Sequence, residues 1–140
     1  FGQMIGARIA ADGGAALLID YGRSEPGFGD TLQALKRHEK VDPLAHPGEA
    51  DLTVHADFPT VLAAAEKAGA EVTGALPQGL FLLRLGIGVR AESLMAAHPD
   101  RADLINRQLE RLAAPDQMGE LFKAAAIVQP GLMPPGFEAG

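Results

Sequence analysis

The segment Asp51-Leu52-Thr53-Val54-His55-Ala56-Asp57 alternates polar and apolar residues without a break. In an extended chain, Asp51, Thr53, His55 and Asp57 share one face, and Leu52, Val54 and Ala56 share the other. Two carboxylates, an imidazole and a hydroxyl along one edge can grip a guanidinium through paired hydrogen bonds or take up a proton. They can also hold a metal. The plainer roles are Asp57 as the N-cap of the next helix and His55 as a partly exposed loop residue. With His38 and His46 the region has enough nitrogen and oxygen ligands for a divalent ion. The spacing matches no motif of defined geometry such as H-E-x-x-H, so no metal site is expected.

A second set, Asp20-Tyr21-Gly22, closes the apolar run Ala15-Ala16-Leu17-Leu18-Ile19. A strand with one wet face alternates; this run does not, so it reads as a strand covered on both faces, as in a parallel α/β sheet. Ligands of open α/β sheets bind just beyond the carboxyl ends of such strands, which places Asp20, Tyr21 and Gly22 at the mouth of a site. Gly86-Ile87-Gly88 lacks the third glycine of a dinucleotide fingerprint and reads as a helix–turn–helix link. The Lys36-Arg37-His38 cluster reads as a solvated strand end.

The elements that must position these residues follow from periodicity. Residues 2–10 end a helix, with Met4, Ile5 and Ile9 apolar, and Asp12-Gly13-Gly14 turns the chain into the strand Ala15–Asp20. A Gly/Pro-bearing loop spans 23–30, Thr31–Leu35 is expected as a second strand, and 38–57 as a long irregular stretch. Phe58 to Ala68 is the clearest helix, with Phe58, Val61, Leu62, Ala65 and Ala68 on one face, Asp57 at the N-cap, Pro59 in the first turn and Gly69 just past the end. Glu71–Leu76 is a third strand, and Gln78–Leu85 and Arg90–His98 are short helices. A helix opened by Pro99 buries Leu104, Ile105, Leu109 and Leu112, pairs Asp103 with Arg107 and ends before Pro115. Leu121–Gln129 is an interior strand, and an irregular tail starts at Pro130.

The bulk numbers bound the partners. One hundred and forty residues support one domain. A net charge of −6 argues against nucleic acid, whose phosphates want a basic face. No stretch approaches a membrane span of about 20 apolar residues. Without cysteine there are no disulfides, thiolate zinc sites or cysteine nucleophiles. The chain starts at Phe1, not Met, and enters its first strand within about fifteen residues, so it is expected to be a piece of something longer. Its apolar strand Ala15–Asp20 has an obvious neighbour on one side only; the others are expected upstream of Phe1 or from another chain.

Several phrases together resemble the C-terminal half of the MidA family of S-adenosylmethionine-dependent methyltransferases. They are Ala15 to Gly22, Gly29-Asp30-Thr31-Leu32-Gln33-Ala34, His38 with Asp42-Pro43-Leu44 and Pro47-Gly48, Asp51 to Phe58, Gln78-Gly79-Leu80-Phe81-Leu82, and Met118-Gly119-Glu120-Leu121-Phe122-Lys123. The resemblance implies an α/β fold, part of a doubly wound Rossmann-like class I methyltransferase sheet. This chain (1–140) would supply strands four to seven, the last antiparallel, with extra helices before it. The glycine-rich cofactor loop belongs to an N-terminal half not contained here. By the family's layout Asp20, Tyr21 and Gly22 lie near the methyl donor, and the 51–57 edge lies over the same pocket. Asp51 and Asp57 would hold an arginine guanidinium, His55 or a carboxylate would take the proton, and Tyr21 would line the transfer channel. The implied partners are the N-terminal half, a protein substrate such as a respiratory complex I subunit, and a second copy in a homodimer. The implied location is cytoplasmic in bacteria and mitochondrial in eukaryotes. A metal-assisted hydrolase built on the His/Asp loop and a non-catalytic assembly module are the alternatives.

Overall fold

In a computed structural model, which describes residues 1–27 and 29–138, the chain is a mixed α/β layer with a small second sheet at one end. One residue of the expected 23–30 loop and the last two of the tail lie outside the described residues. The central strand is the last one. Strand β8 (Phe122–Val128) runs antiparallel to β1 (Ala15–Arg23) from Tyr21↔Phe122 to Ala15↔Val128. Its other edge takes two short strands, β6 (Glu71–Val72) and β7 (Leu76–Pro77). Lys123 to Val128 are all buried, as the apolar run predicts for an interior strand. Ile127 is 0% exposed, a burial contributing about 1.5–3 kcal/mol.

Helices α1 (Gly2–Asp12) and α2 (Phe58–Lys67) cover one face of this sheet. Ile9, Phe58, Leu62 and Ala65 form the core there with Ala125 and Ile127, and Ala16 and Leu18 of β1 pack against it. The α1–α2 contact is made through glycine. A Cβ on Gly2 would stand 2.2 Å from the Val61 carbonyl oxygen, and one on Gly6 would stand 2.5 Å from that of Ala65. Met4, expected on the apolar face of α1, is instead 68% exposed. The C-terminal helices α3 (Gln78–Arg84), α4 (Ile87–Ala97) and α5 (Ala102–Ala113) precede β8, as expected. Buried Gln78 ties them together: its Nε2 donates to the Leu112 carbonyl (2.8 Å), satisfying an orphan acceptor at the end of α5.

Several expectations are corrected. Strand β1 is covered on one face only: Leu17 and Ile19 are 53% and 45% exposed, although Ala126 and Ala124 opposite them on β8 are buried, because among the described residues no helix packs over that side of β1 itself. The strand expected at 31–35 forms at Gln33–Lys36 (β2) and does not join the main sheet. It pairs with β3 (Glu39–Val41) and β4 (Asp51–Thr53) in a separate antiparallel sheet, so the stretch 38–57 is not wholly irregular. The alternating segment 51–57 is not one strand. It leaves the small sheet after Thr53 and re-forms as β5 (Ala56–Asp57), parallel to the tip of β1 (Gly22↔Ala56, Arg23↔Asp57). Its apolar side is not a buried face, since Leu52 and Val54 are 60% and 61% exposed.

The strand expected at 71–76 is split at 73–75, where the Thr73 amide donates to the Ala126 carbonyl (2.9 Å) and the Thr73 hydroxyl accepts from the Ala126 amide (2.8 Å). Helix α5 buries none of its residues. It packs on α4 through Ile105 and Leu109, while Leu104 remains 46% exposed. The expected Asp103–Arg107 pair does not form among the described residues; Asn106 donates to Glu110 (3.0 Å) instead.

Candidate functional site

The carboxyl end of β1 is where the two sheets meet. Tyr21 faces Phe122 across the ladder with ring centroids 5.5 Å apart and planes at 78°. His55, in the short break between β4 and β5, meets the same Tyr21 ring at 5.9 Å and 74°. Both are edge-to-face contacts, which suit the ring quadrupoles and fix the orientation of the phenol. The His55 amide donates to the Thr31 hydroxyl (3.2 Å), so a residue two positions before β2 anchors the break. Gly22 is needed for packing: a Cβ there would meet the Ala56 carbonyl oxygen at 2.3 Å and the Phe58 ring at 3.0 Å. Its small size admits β5, and it makes no open cradle for a ligand.

Asp57 is the N-cap of α2. Its Oδ1 accepts from the Thr60 amide (3.1 Å) and its Oδ2 from the Thr60 hydroxyl (2.8 Å). These bonds, and secondarily the Arg23 guanidinium, hold its carboxyl below the ordinary value of 3.8. Arg23 itself donates to the carbonyls of Gly27 and Gly29 and so shapes the loop after β1. Asp20 accepts from the Tyr21 amide (2.8 Å). Lys123, opposite Asp20 in the ladder, turns its ammonium to Glu120 (2.8 Å). Asp20 and Asp57 both line a groove of about 410 Å³ that runs back along Leu17, Ile19, Ala56 and Val61, on the edge of β1 that β5 leaves unpaired.

Of the residues expected from sequence, Asp20, Tyr21, Gly22, His55 and Asp57 lie at this one end of β1. Asp51 lies in the small sheet, opposite Leu35 and exposed. Sequence reasoning missed Phe122, Thr31 and Thr60. Phe122 reaches Tyr21 only through the β1–β8 register, about a hundred residues away in the chain, and no local signal marks it. Thr60 was legible, three residues after an N-cap aspartate. Among the described residues no three His, Asp or Glu side chains gather in a group that could hold a metal ion. No helix among them is long and apolar enough to cross a membrane.

Residues 1–76 match the model of a family described as "putative S-adenosyl-L-methionine-dependent methyltransferase". The chain belongs to this family. A relative from Drosophila melanogaster, named protein arginine methyltransferase NDUFAF7 homolog, mitochondrial, is 42% identical over 135 residues, covering 93% of this chain and 30% of the relative. The Homo sapiens protein arginine methyltransferase NDUFAF7, mitochondrial, is 34% identical over 128 residues, covering 90% and 29%. A Burkholderia thailandensis protein crystallised with S-adenosyl-homocysteine superposes with a TM-score of 0.76 at 27% identity, covering 99% of this chain and 36% of that one. This methyltransferase family member therefore spans about 30% of the length of the curated relatives it matches. The fold class is the Rossmann-like methyltransferase type, with its last strand antiparallel. A cytoplasmic location does not hold across the family, because these eukaryotic relatives are named mitochondrial.

Proposed function

We propose that this chain is the C-terminal half of an S-adenosylmethionine-dependent methyltransferase that modifies a protein arginine, with a role in respiratory complex I assembly. The observation that carries the reading is the convergence of Asp20, Tyr21, His55 and Asp57 at the carboxyl end of one strand, where ligands of such sheets bind. The unpaired edge of β1, with Leu17 and Ile19 exposed beside it, is the seat for the N-terminal half, which carries the main cofactor loop. S-adenosylmethionine, when bound, supplies an electrophilic methyl carbon. Asp20 and Tyr21 give this chain's wall of that pocket, and Gly22 lets β5 close against the strand end beside them.

The chain's own residues orient the acceptor. A guanidinium nitrogen must be aligned with the methyl carbon and must keep its lone pair available. Asp57 stays ionised because Thr60 and Arg23 favour its carboxylate, so it offers a fixed negative charge to the guanidinium while capping α2. Asp51, exposed on the small sheet, is the second carboxylate assigned to the acceptor. His55, held by Tyr21 and Thr31, takes the departing proton. Tyr21 closes the side of the channel. In the full-length protein, Asp51→Asn and His55→Gln should each reduce methylation of an arginine-bearing substrate by roughly 10²-fold or more, with cofactor binding unchanged. Undiminished methylation in both variants would refute these roles.

A non-catalytic assembly module is the second reading, and the exposed apolar surface of α4 and α5 favours it, as it favours a homodimer. Partner binding that survives in a variant unable to bind the cofactor would support the module.

A further inference from the structure

Strands β2 and β3 pair Lys36 with Glu39, which leaves Arg37 and His38 as a two-residue hairpin turn. Both sit in the left-handed region, with φ of 52° and 67°. Such a turn needs positive φ at both central positions, and Asn-Gly satisfies that with far less strain than two residues carrying long or bulky side chains. Strain of this kind persists where the side chains serve a purpose that the backbone does not. Those side chains are exposed. Lys36 is neutralised by Glu49 (2.6 Å), while Arg37, His38 and Lys40 have no ion pair among the described residues. With Lys36 offset by Glu49 and exposed Glu39 lying between His38 and Lys40, Arg37 and Lys40 leave this tip a small net positive charge in a chain of net charge −6.

The tip is also tied to the candidate site. Thr31, which holds the His55 amide, lies five residues before Lys36 along one nearly extended segment, a reach of roughly 17 Å. We propose that the Arg37-His38-Lys40 tip docks an acidic segment of the protein substrate. On this inference, which rests on the protein-acceptor reading above, the acidic residues lie about four to six positions from the methylated residue in an extended chain.

The test uses the full-length protein and two arginine peptides, one with three glutamates placed four to six residues from the arginine and one with glutamines there. The wild type should show a KM for the glutamate peptide lower by roughly five- to ten-fold at low ionic strength, with equal kcat, and salt should erase the difference. The double variant Arg37→Asn/His38→Gly should lose that preference while its thermal midpoint rises by about 2–4 °C, because the turn is relieved. An equal KM for both peptides, a preference that survives in the variant, or tighter binding of an RNA oligonucleotide at the tip would each overturn the proposal. If neither peptide is methylated, the arginine-acceptor reading fails. Fluorescence anisotropy of the labelled glutamate peptide then still decides the tip: binding lost in the variant upholds it, and binding unchanged overturns it.

Discussion

Asp57 serves two purposes with one carboxylate: it starts α2, and it stands at the mouth of the β1 site. The roles separate on substitution, because Asn caps as well as Asp but carries no charge. Asp57→Asn should leave helix α2 intact and reduce methylation, whereas Asp57→Ala should also lower the thermal midpoint. The pH dependence has a definite sign. The carboxyl is held below 3.8 in the folded chain, so the unfolded chain binds the proton more readily. Its stabilising effect is complete above the unfolded value and is lost as pH falls through the folded one. Thermal unfolding between pH 7 and pH 2 should show the wild type's advantage over Asp57→Ala shrinking below about pH 4, with no such step in Asp57→Asn. Tyr21 is governed by its neighbours: Phe122→Ala removes an aromatic pair that contributes about 0.5–1.5 kcal/mol beyond its buried area. Phe122→Leu should restore packing without the ring. Raised KM in both variants would assign the ring pair to positioning Tyr21.

At the scale of elements, the α1–α2 crossing depends on absent side chains. Gly2 and Gly6 let α1 approach the backbone of α2 at Val61 and Ala65. Glycine in a helix reads as a weakness in sequence, because its propensity is about 1 kcal/mol worse than alanine. Here that loss is offset by an approach no other residue permits. Gly6→Ala should raise helix propensity yet destabilise the protein by about 1–3 kcal/mol through overpacking, measurable by chemical denaturation. The 51–57 segment misleads for a related reason. Its alternation is real, but a break at Val54 and His55 hands the chain from one sheet to another, and hydrophobic periodicity carries no information on which sheet a strand joins. That break, not a continuous edge, brings His55 to Tyr21.

For the whole molecule, the largest consequence lies along β1. Among the described residues, its amides that point away from β8 have no strand partner between Ala15 and Tyr21, and Leu17 and Ile19 stand in solvent beside them. An apolar, unpaired edge of this length favours association. If the N-terminal half seats there, hydrogen exchange of those amides should slow strongly in the full-length protein relative to the 140-residue chain, while the β8-facing amides change little. Equal exchange in both would argue against that seat. Leu17→Glu/Ile19→Glu should keep the isolated chain monomeric and should abolish methyl transfer in the full-length protein.

Some of this was written in the chain and some was not. The unbroken apolar run of β8, the capped helix after Asp57, the turn residues of the tail and the placement of Asp20 and Tyr21 at a strand end follow from local patterns, since periodicity and capping act over a few residues. Three features needed the tertiary structure: β1 exposing one face, β2 to β4 forming their own sheet, and Phe122 meeting Tyr21. Each depends on contacts between residues far apart in the chain, and burial of a face is decided by what packs upon it rather than by its own composition.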